Sequence, residues 1–103
     1  MSVYVDDAAI PYGRMLMSHL VADSLEELHA MADRIGVARR WFQRDASTPH
    51  YDVCRSKRAL ALRYGAVALD RHAMSAWLRK RRDRAGGVDR HLPPAVQISV
   101  EET

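Results

Sequence analysis

Met15-Leu16-Met17-Ser18-His19-Leu20-Val21-Ala22 runs directly into Asp23-Ser24-Leu25-Glu26-Glu27-Leu28, and this junction decides the fold. In the first stretch Met15, Met17 and Val21 fall on one side and Leu16, Leu20 and Ala22 on the other. A strand covered on both faces reads this way, although a short buried helix gives the same pattern over so few residues. The second stretch opens a helix. Asp23-Ser24 can cap it, and Ser24 to Glu27 has capping-box spacing. Glu26 and Glu27 place negative charge in the first turn, where it suits the helix dipole. Leu25, Leu28, Ala32 and Ile35 then share one face, and Gly36 is a natural stop.

Outward from this junction the same alternation continues. Upstream, Val3-Tyr4-Val5 reads as a strand stopped by Asp6-Asp7, and Ile10-Pro11-Tyr12-Gly13 reads as a turn. Downstream, Val37 to Gln43 reads as a strand with Trp41 and Phe42 on opposite faces. Ala46 to His50 reads as a loop, and a helix follows over 53–64, ended by Gly65. Ala66-Val67-Ala68-Leu69 is a short buried strand. Asp70 caps a third helix over 71–84, with Met74, Trp77, Leu78 and Arg81 on one stripe and Gly86-Gly87 beyond it. The expectation is an α/β fold: a small single-domain sandwich of about four strands and three helices. Its sheet is mainly parallel, with a mixed sheet left open because only a loop separates the first two strands. Residues 1–87 form the compact domain. In the tail, 88–103, Val96, Ile98 and Val100 alternate with polar residues, as an added edge strand or a flexible end would.

Composition sets the outer bounds. The chain has 103 residues, enough for one domain with one modest core, and a core of that size leaves room for homo-oligomers. Hydrophobic residues at 48% and charged residues at 28% suit a soluble globular protein. No apolar run is long enough to span a bilayer, and the first residues lack the basic-then-apolar order of a signal peptide. The single cysteine, Cys54, permits no internal disulfide. The cytoplasm is the expected compartment.

The polar residues that interrupt these apolar elements are the candidate site. His19, Asp23 and His29 have metal-ligand chemistry, and neutral imidazole with carboxylate suits zinc, manganese or iron. No pair has a standard spacing such as H-E-x-x-H. His29 borders its helix's apolar face, where histidines are usually packed and hydrogen-bonded, and Asp23 has a simpler use as a cap. His50-Tyr51-Asp52 precedes a helix. Asp52 suits the N-cap of that helix and, with Asp6, also a carboxylate serving His50 as general acid or base; the two roles do not exclude each other. Ser56, Lys57 and Arg58 lie early in the same helix, where backbone N–H groups and basic side chains attract phosphate. Arg14 points to the same end of the sheet in this reading. An ordinary solvated basic turn is the simpler account of these residues. Arg63 falls inside its helix's apolar arc, so it either snorkels or reaches a buried carboxylate such as Asp6. Arg79-Lys80-Arg81-Arg82-Asp83-Arg84 suits a helix C-terminus with no partner at all. It also suits weak, non-specific contact with nucleic-acid phosphates.

With these residues in hand, the chain resembles a family of short bacterial and phage proteins known as domain of unknown function 4031. The resemblance lies in Val3-Tyr4-Val5-Asp6, His19-Leu20-Val21-Ala22-Asp23, Glu26-Glu27-Leu28-His29, Ile35-Gly36-Val37, Trp41-Phe42-Gln43, His50-Tyr51-Asp52-Val53, Ser56-Lys57-Arg58-Ala59 and Gly65-Ala66-Val67. It implies a compact intracellular domain and carries no assigned activity and no catalytic residues.

The combined expectation is a polar pocket beyond the carboxyl ends of the strands, walled by Asp6, Asp7, Asp23, Gln43, His50, Tyr51 and Asp52. In it His50, Asp52 and Asp6 are the catalytic candidates. Arg14, Gln43, Tyr51, Lys57, Arg58 and Arg63 are the ligand-binding candidates, and His19, Asp23 and His29 the metal candidates. A phosphate-bearing or nucleotide-type ligand, handled by a metal-assisted hydrolase with a divalent cofactor, is the leading function. The alternatives are a non-enzymatic nucleic-acid-associated protein and a structural or interaction protein.

Overall fold

The computed structural model describes residues 2–44 and 46–89, with side chains to residue 84. The order is β1 (Val3–Asp6), β2 (Ile10–Tyr12), β3 (Met15–Ala22), α1 (Leu25–Ile35), β4 (Phe42–Gln43), β5 (His50–Cys54), α2 (Arg55–Arg63), β6 (Val67–Leu69) and α3 (Arg71–Asp89). The tail around Val96–Val100, expected as an added edge strand or a flexible end, lies outside the described residues. The α/β class and the three helices are as the periodicity implies. The sheet has six strands rather than about four, in the order β4-β5-β3-β1-β6 with β2 also paired to β3. Among the described residues, only β1 and β6 pair in parallel; the other four pairings are antiparallel.

Two local readings account for the extra strands. Ile10–Tyr12 is not the turn itself but the first arm of a hairpin, with Tyr12 opposite Met15. The turn is Gly13-Arg14, and Gly13 takes a φ of 60°, which suits the first central position of a two-residue hairpin. Pro11 is tolerated because β2 is a short edge arm. His50–Cys54 is a strand antiparallel to β3, with His19 opposite Asp52 and Leu20 opposite Tyr51. Asp52 is therefore not a helix cap. The cap position of α2 is Cys54, and its side chain makes no capping bond. The expected strand over 37–43 shrinks to Phe42–Gln43, because Arg39–Trp41 closes a 3₁₀ turn with the Trp41 N–H donating to the Ala38 carbonyl at 3.0 Å.

Helix α1 forms as its sequence implies. The Ser24 Oγ accepts from the Glu27 N–H at 3.2 Å and donates to the Glu27 carboxylate at 2.9 Å. Gly36 ends the helix at φ 80°, with the Val37 N–H returning to the Ala32 carbonyl. Its buried face, Leu28, Met31, Ala32 and Ile35, packs on Val3, Val5, Leu20, Tyr51 and Val53 of the sheet, with Ala61 of α2 and Ala66 closing the core. Helix α3 starts at Asp70, whose carboxylate accepts from the Ala73 N–H at 2.8 Å. It packs elsewhere. Trp77 meets the Tyr4 ring at 5.4 Å between centroids, and Tyr4 alternates with the core-facing Val3 and Val5. Among the described residues, the second face of the sheet is thus covered by α3 at its β1–β6 end.

Candidate functional site

Strand alternation places the site. On β5, Tyr51 and Val53 point into the core, so His50, Asp52 and Cys54 stand on the other face. On β3, buried Ser18 and Leu20 flank His19, whose cross-strand neighbour is Asp52. On β1, Asp6 follows core-facing Val5. Four polar side chains from three adjacent strands therefore converge on one patch. They do not sit beyond a shared carboxyl edge, because strands that run antiparallel have none.

The hydrogen bonds around the two imidazoles define their chemistry. His19 Nδ1 lies 2.7 Å from Asp6 Oδ2, while Asp6 Oδ1 accepts the His19 N–H at 2.8 Å and the Ala8 N–H at 3.2 Å. His50 Nδ1 lies 2.9 Å from the Thr48 carbonyl oxygen. A carboxylate and a carbonyl only accept, so each imidazole carries a proton on Nδ1. When neutral, each leaves its Nε2 lone pair free. Both Nε2 atoms face Asp52 Oδ1, at 3.9 Å from His19 and 3.3 Å from His50. One donor atom from each of His19, His50 and Asp52 lies within 4.8 Å of the other two, and no other such trio of His, Cys, Asp or Glu occurs among the described residues.

Two of the three separations come close to those between the ligands of a divalent cation. Bonds of about 2.0–2.1 Å in tetrahedral coordination separate donors by about 3.4 Å. The His50–Asp52 pair is already at that separation, and the His19–Asp52 pair needs to close by about half an ångström. Electrostatics agree. The hydrogen bond to Asp6 holds His19 above its ordinary pKa, burial works against this, and the charges of Asp6 and Asp52 add to it. Burial pushes Asp6 up, but the bonds from the His19 ring and backbone and from Ala8 outweigh it, and the carboxyl sits below its usual range. Site and proton thus compete for the same nitrogen, as at metal-binding histidines generally.

His19, His50 and Asp52 line a pocket of about 580 Å³, within the size range of small-molecule sites. Met17, Gln43, Cys54 and Lys57 also line it, with Trp41 and Arg40 from the 3₁₀ turn and Ile10 to Tyr12 from the hairpin. The Cys54 thiol is held below its usual pKa by the Ser56 hydroxyl, 3.3 Å away, against some burial.

Several expected participants lie elsewhere. Asp23 takes hydrogen bonds from the Ser2 N–H, the Tyr4 hydroxyl and the Trp77 indole, and so ties α3 to β1. His29 is bonded to the Tyr51 hydroxyl at 2.7 Å and packs edge-on to Phe42. Neither joins His19. Tyr51 is fully buried and points into the core, away from the pocket. Arg58 donates to the Asp6 carbonyl at 2.8 Å and is structural; Arg63, expected either to snorkel to the surface or to reach a buried carboxylate such as Asp6, is exposed. Arg14 and Asp7 are exposed and outside the pocket lining. Gln43 and Lys57 do line it. The contribution of Thr48 was invisible in the sequence, because a backbone carbonyl leaves no signature there. Cys54 went unread as well; the signal that could have found it is the alternation of His50-Tyr51-Asp52-Val53-Cys54 along β5.

A family model described as "Protein of unknown function (DUF4031)" matches residues 3–81, which span all six strands and most of α3. The chain belongs to the DUF4031 family. The match takes in Asp6, His19, His50 and Asp52 and also the start of the basic run. No curated protein and no solved structure matches the chain. Among the described residues, no helix is long and apolar enough to cross a membrane.

Proposed function

We propose that this DUF4031 protein is a cytoplasmic metal-assisted hydrolase. His19, His50 and Asp52 hold a divalent cation, and the adjoining pocket takes a small phosphate-bearing ligand. The observation that carries this reading is the pair of acceptors behind the histidines. Asp6 and the Thr48 carbonyl both engage Nδ1, so both Nε2 lone pairs face Asp52. Carboxylate–histidine pairs of this kind orient ligands at metal centres. Three protein ligands leave coordination positions for water or substrate. The cation would polarise a phosphoryl oxygen and lower the pKa of bound water. Lys57 and Arg40 bring positive charge to the same pocket.

The test is calorimetric titration of metal-free protein with Zn²⁺, Mn²⁺ and Fe²⁺, followed by hydrolysis of p-nitrophenyl phosphate by the loaded protein. One-to-one binding by at least one metal is expected, and it should be lost in His50→Ala and Asp52→Asn while circular dichroism is unchanged. Failure of all three metals to bind at micromolar protein would refute the centre. Binding without turnover of any phosphate ester would leave a metal-binding protein and refute the hydrolase.

A further inference from the structure

The apolar side of the pocket carries information that the metal centre does not use. Of the large hydrophobic side chains left exposed, Ile10 (48%), Tyr12 (62%), Met15 (45%) and Trp41 (50%) all line this one cavity. They come from two separate elements, the β2–β3 hairpin and the 3₁₀ turn before β4, so no single amphipathic segment explains the clustering. Exposed apolar surface gathered in one place marks a binding site. The Arg40 guanidinium stands 5.4 Å from the centre of the Trp41 ring, backing an aromatic face with positive charge at the pocket's edge. Lys57 lines the pocket as well.

We infer that the pocket recognises a nucleoside-monophosphate-type ligand, with a planar heteroaromatic ring against Tyr12 and Trp41 and its phosphate toward Lys57 and the His19–His50–Asp52 centre. This rests on the metal-centre reading and names its substrate class. The two halves of the lining require the two halves of such a molecule. Cations and a metal ion suit a compact anion, whereas Tyr12 and Trp41 offer flat apolar faces on which any base can stack. A small ligand fits better than a protein partner, because the lining encloses a pocket of small-molecule volume and mixes apolar and aromatic side chains with a few polar ones.

The test uses the full chain, with tryptophan fluorescence read immediately on mixing. Trp77 provides a constant background, because it packs on Tyr4 and bonds to Asp23, neither of which lines the pocket. Zn²⁺-loaded wild type, Trp41→Phe and Tyr12→Ala are titrated with AMP, ribose 5-phosphate and adenosine; ribose 5-phosphate and adenosine are followed by their competition with AMP. AMP should quench wild type and bind about tenfold or more tighter than ribose 5-phosphate, the scale of one stacked base. Tyr12→Ala should weaken AMP by a similar factor and leave Zn²⁺ affinity unchanged by calorimetry. Trp41→Phe should remove the quenching. AMP should also lose affinity when the metal is removed. Equal affinity for AMP and ribose 5-phosphate would overturn the inference, as would AMP binding indifferent to metal or to Tyr12→Ala. Sedimentation showing a dimer that Tyr12→Ala dissociates would overturn it too, since a second copy would then cover the aromatic wall. Absence of Zn²⁺, Mn²⁺ and Fe²⁺ binding would sink both readings, whereas metal binding without ring discrimination sinks only this one.

Discussion

Replacing Asp6 by asparagine should change the chemistry of His19 while barely changing its position. Asp6 Oδ1 accepts two backbone N–H groups, from His19 and Ala8. In the variant those donors hold the amide oxygen in the same place, and the amide nitrogen then occupies the position of Oδ2, 2.7 Å from His19 Nδ1. An amide N–H can only donate, so Nδ1 must become the acceptor and the ring proton must move to Nε2. That removes the lone pair from the metal centre. Loss of such an outer partner costs about 10–100-fold in metal affinity, equivalent to about 1.4–2.7 kcal/mol. The fold should survive, because the amide still satisfies the backbone donors. Losing the charge-assisted bond at a nearly buried position should cost about 1–3 kcal/mol of stability, a fraction of the total for a domain of this size. Zn²⁺ calorimetry, urea unfolding and long-range ¹H–¹⁵N spectra of the imidazole read the three consequences separately. Unchanged Zn²⁺ affinity together with a clear switch of His19 to the Nε2–H tautomer would refute the reasoning.

Three further outcomes are expected. In the metal-free protein, Asp6 is lowered from its ordinary 3.8 and His19 is raised from 6.5. The Asp6 contribution is present above about pH 4 and lost as pH falls through the lowered value; the His19 contribution is present below about pH 6.5 and lost as pH rises through the raised one. The urea midpoint of wild type relative to His19→Gln should therefore be greater at about pH 5.5 than at about pH 8.5, and an equal difference at both would contradict the coupling. Tyr51→Phe removes the partner of His29 Nδ1 and should cost about 1 kcal/mol in urea unfolding. It should leave Zn²⁺ affinity unchanged, and a metal defect would place His29 back in the site. We further propose that Arg79, Lys80, Arg81 and Arg82 give weak, sequence-independent binding to nucleic acid that falls steeply with salt. Fluorescence anisotropy with the four replaced by glutamine should show that binding lost, and tight binding to one defined sequence at physiological salt would make the nucleic-acid role primary.

The sequence by itself determined the elements whose signals are local. Ser24 and Glu27 are three residues apart, and Gly36 can take a left-handed conformation that other residues resist, so α1 could be read end to end. Asp70 announced α3 in the same way. The sequence also marked Asp6, His19, His50 and Asp52 as polar breaks in apolar elements, without showing their arrangement. Their meeting depends on register between strands far apart in the chain, His19 against Asp52 across β3 and β5. A single chain carries no explicit record of that pairing. Strand β5 escaped notice for a related reason. Its outward residues, His50, Asp52 and Cys54, are polar or small because their face lines a pocket, so the strand resembled a loop and a cap. Asp23 and His29 had ligand chemistry but lie where side chains of the fold already engage them: Tyr4 and Trp77 for one, Tyr51 for the other. Residue type reveals what a side chain can do within a few neighbours. Which side chains share a space is decided by long-range strand pairing, and only the tertiary structure contains it.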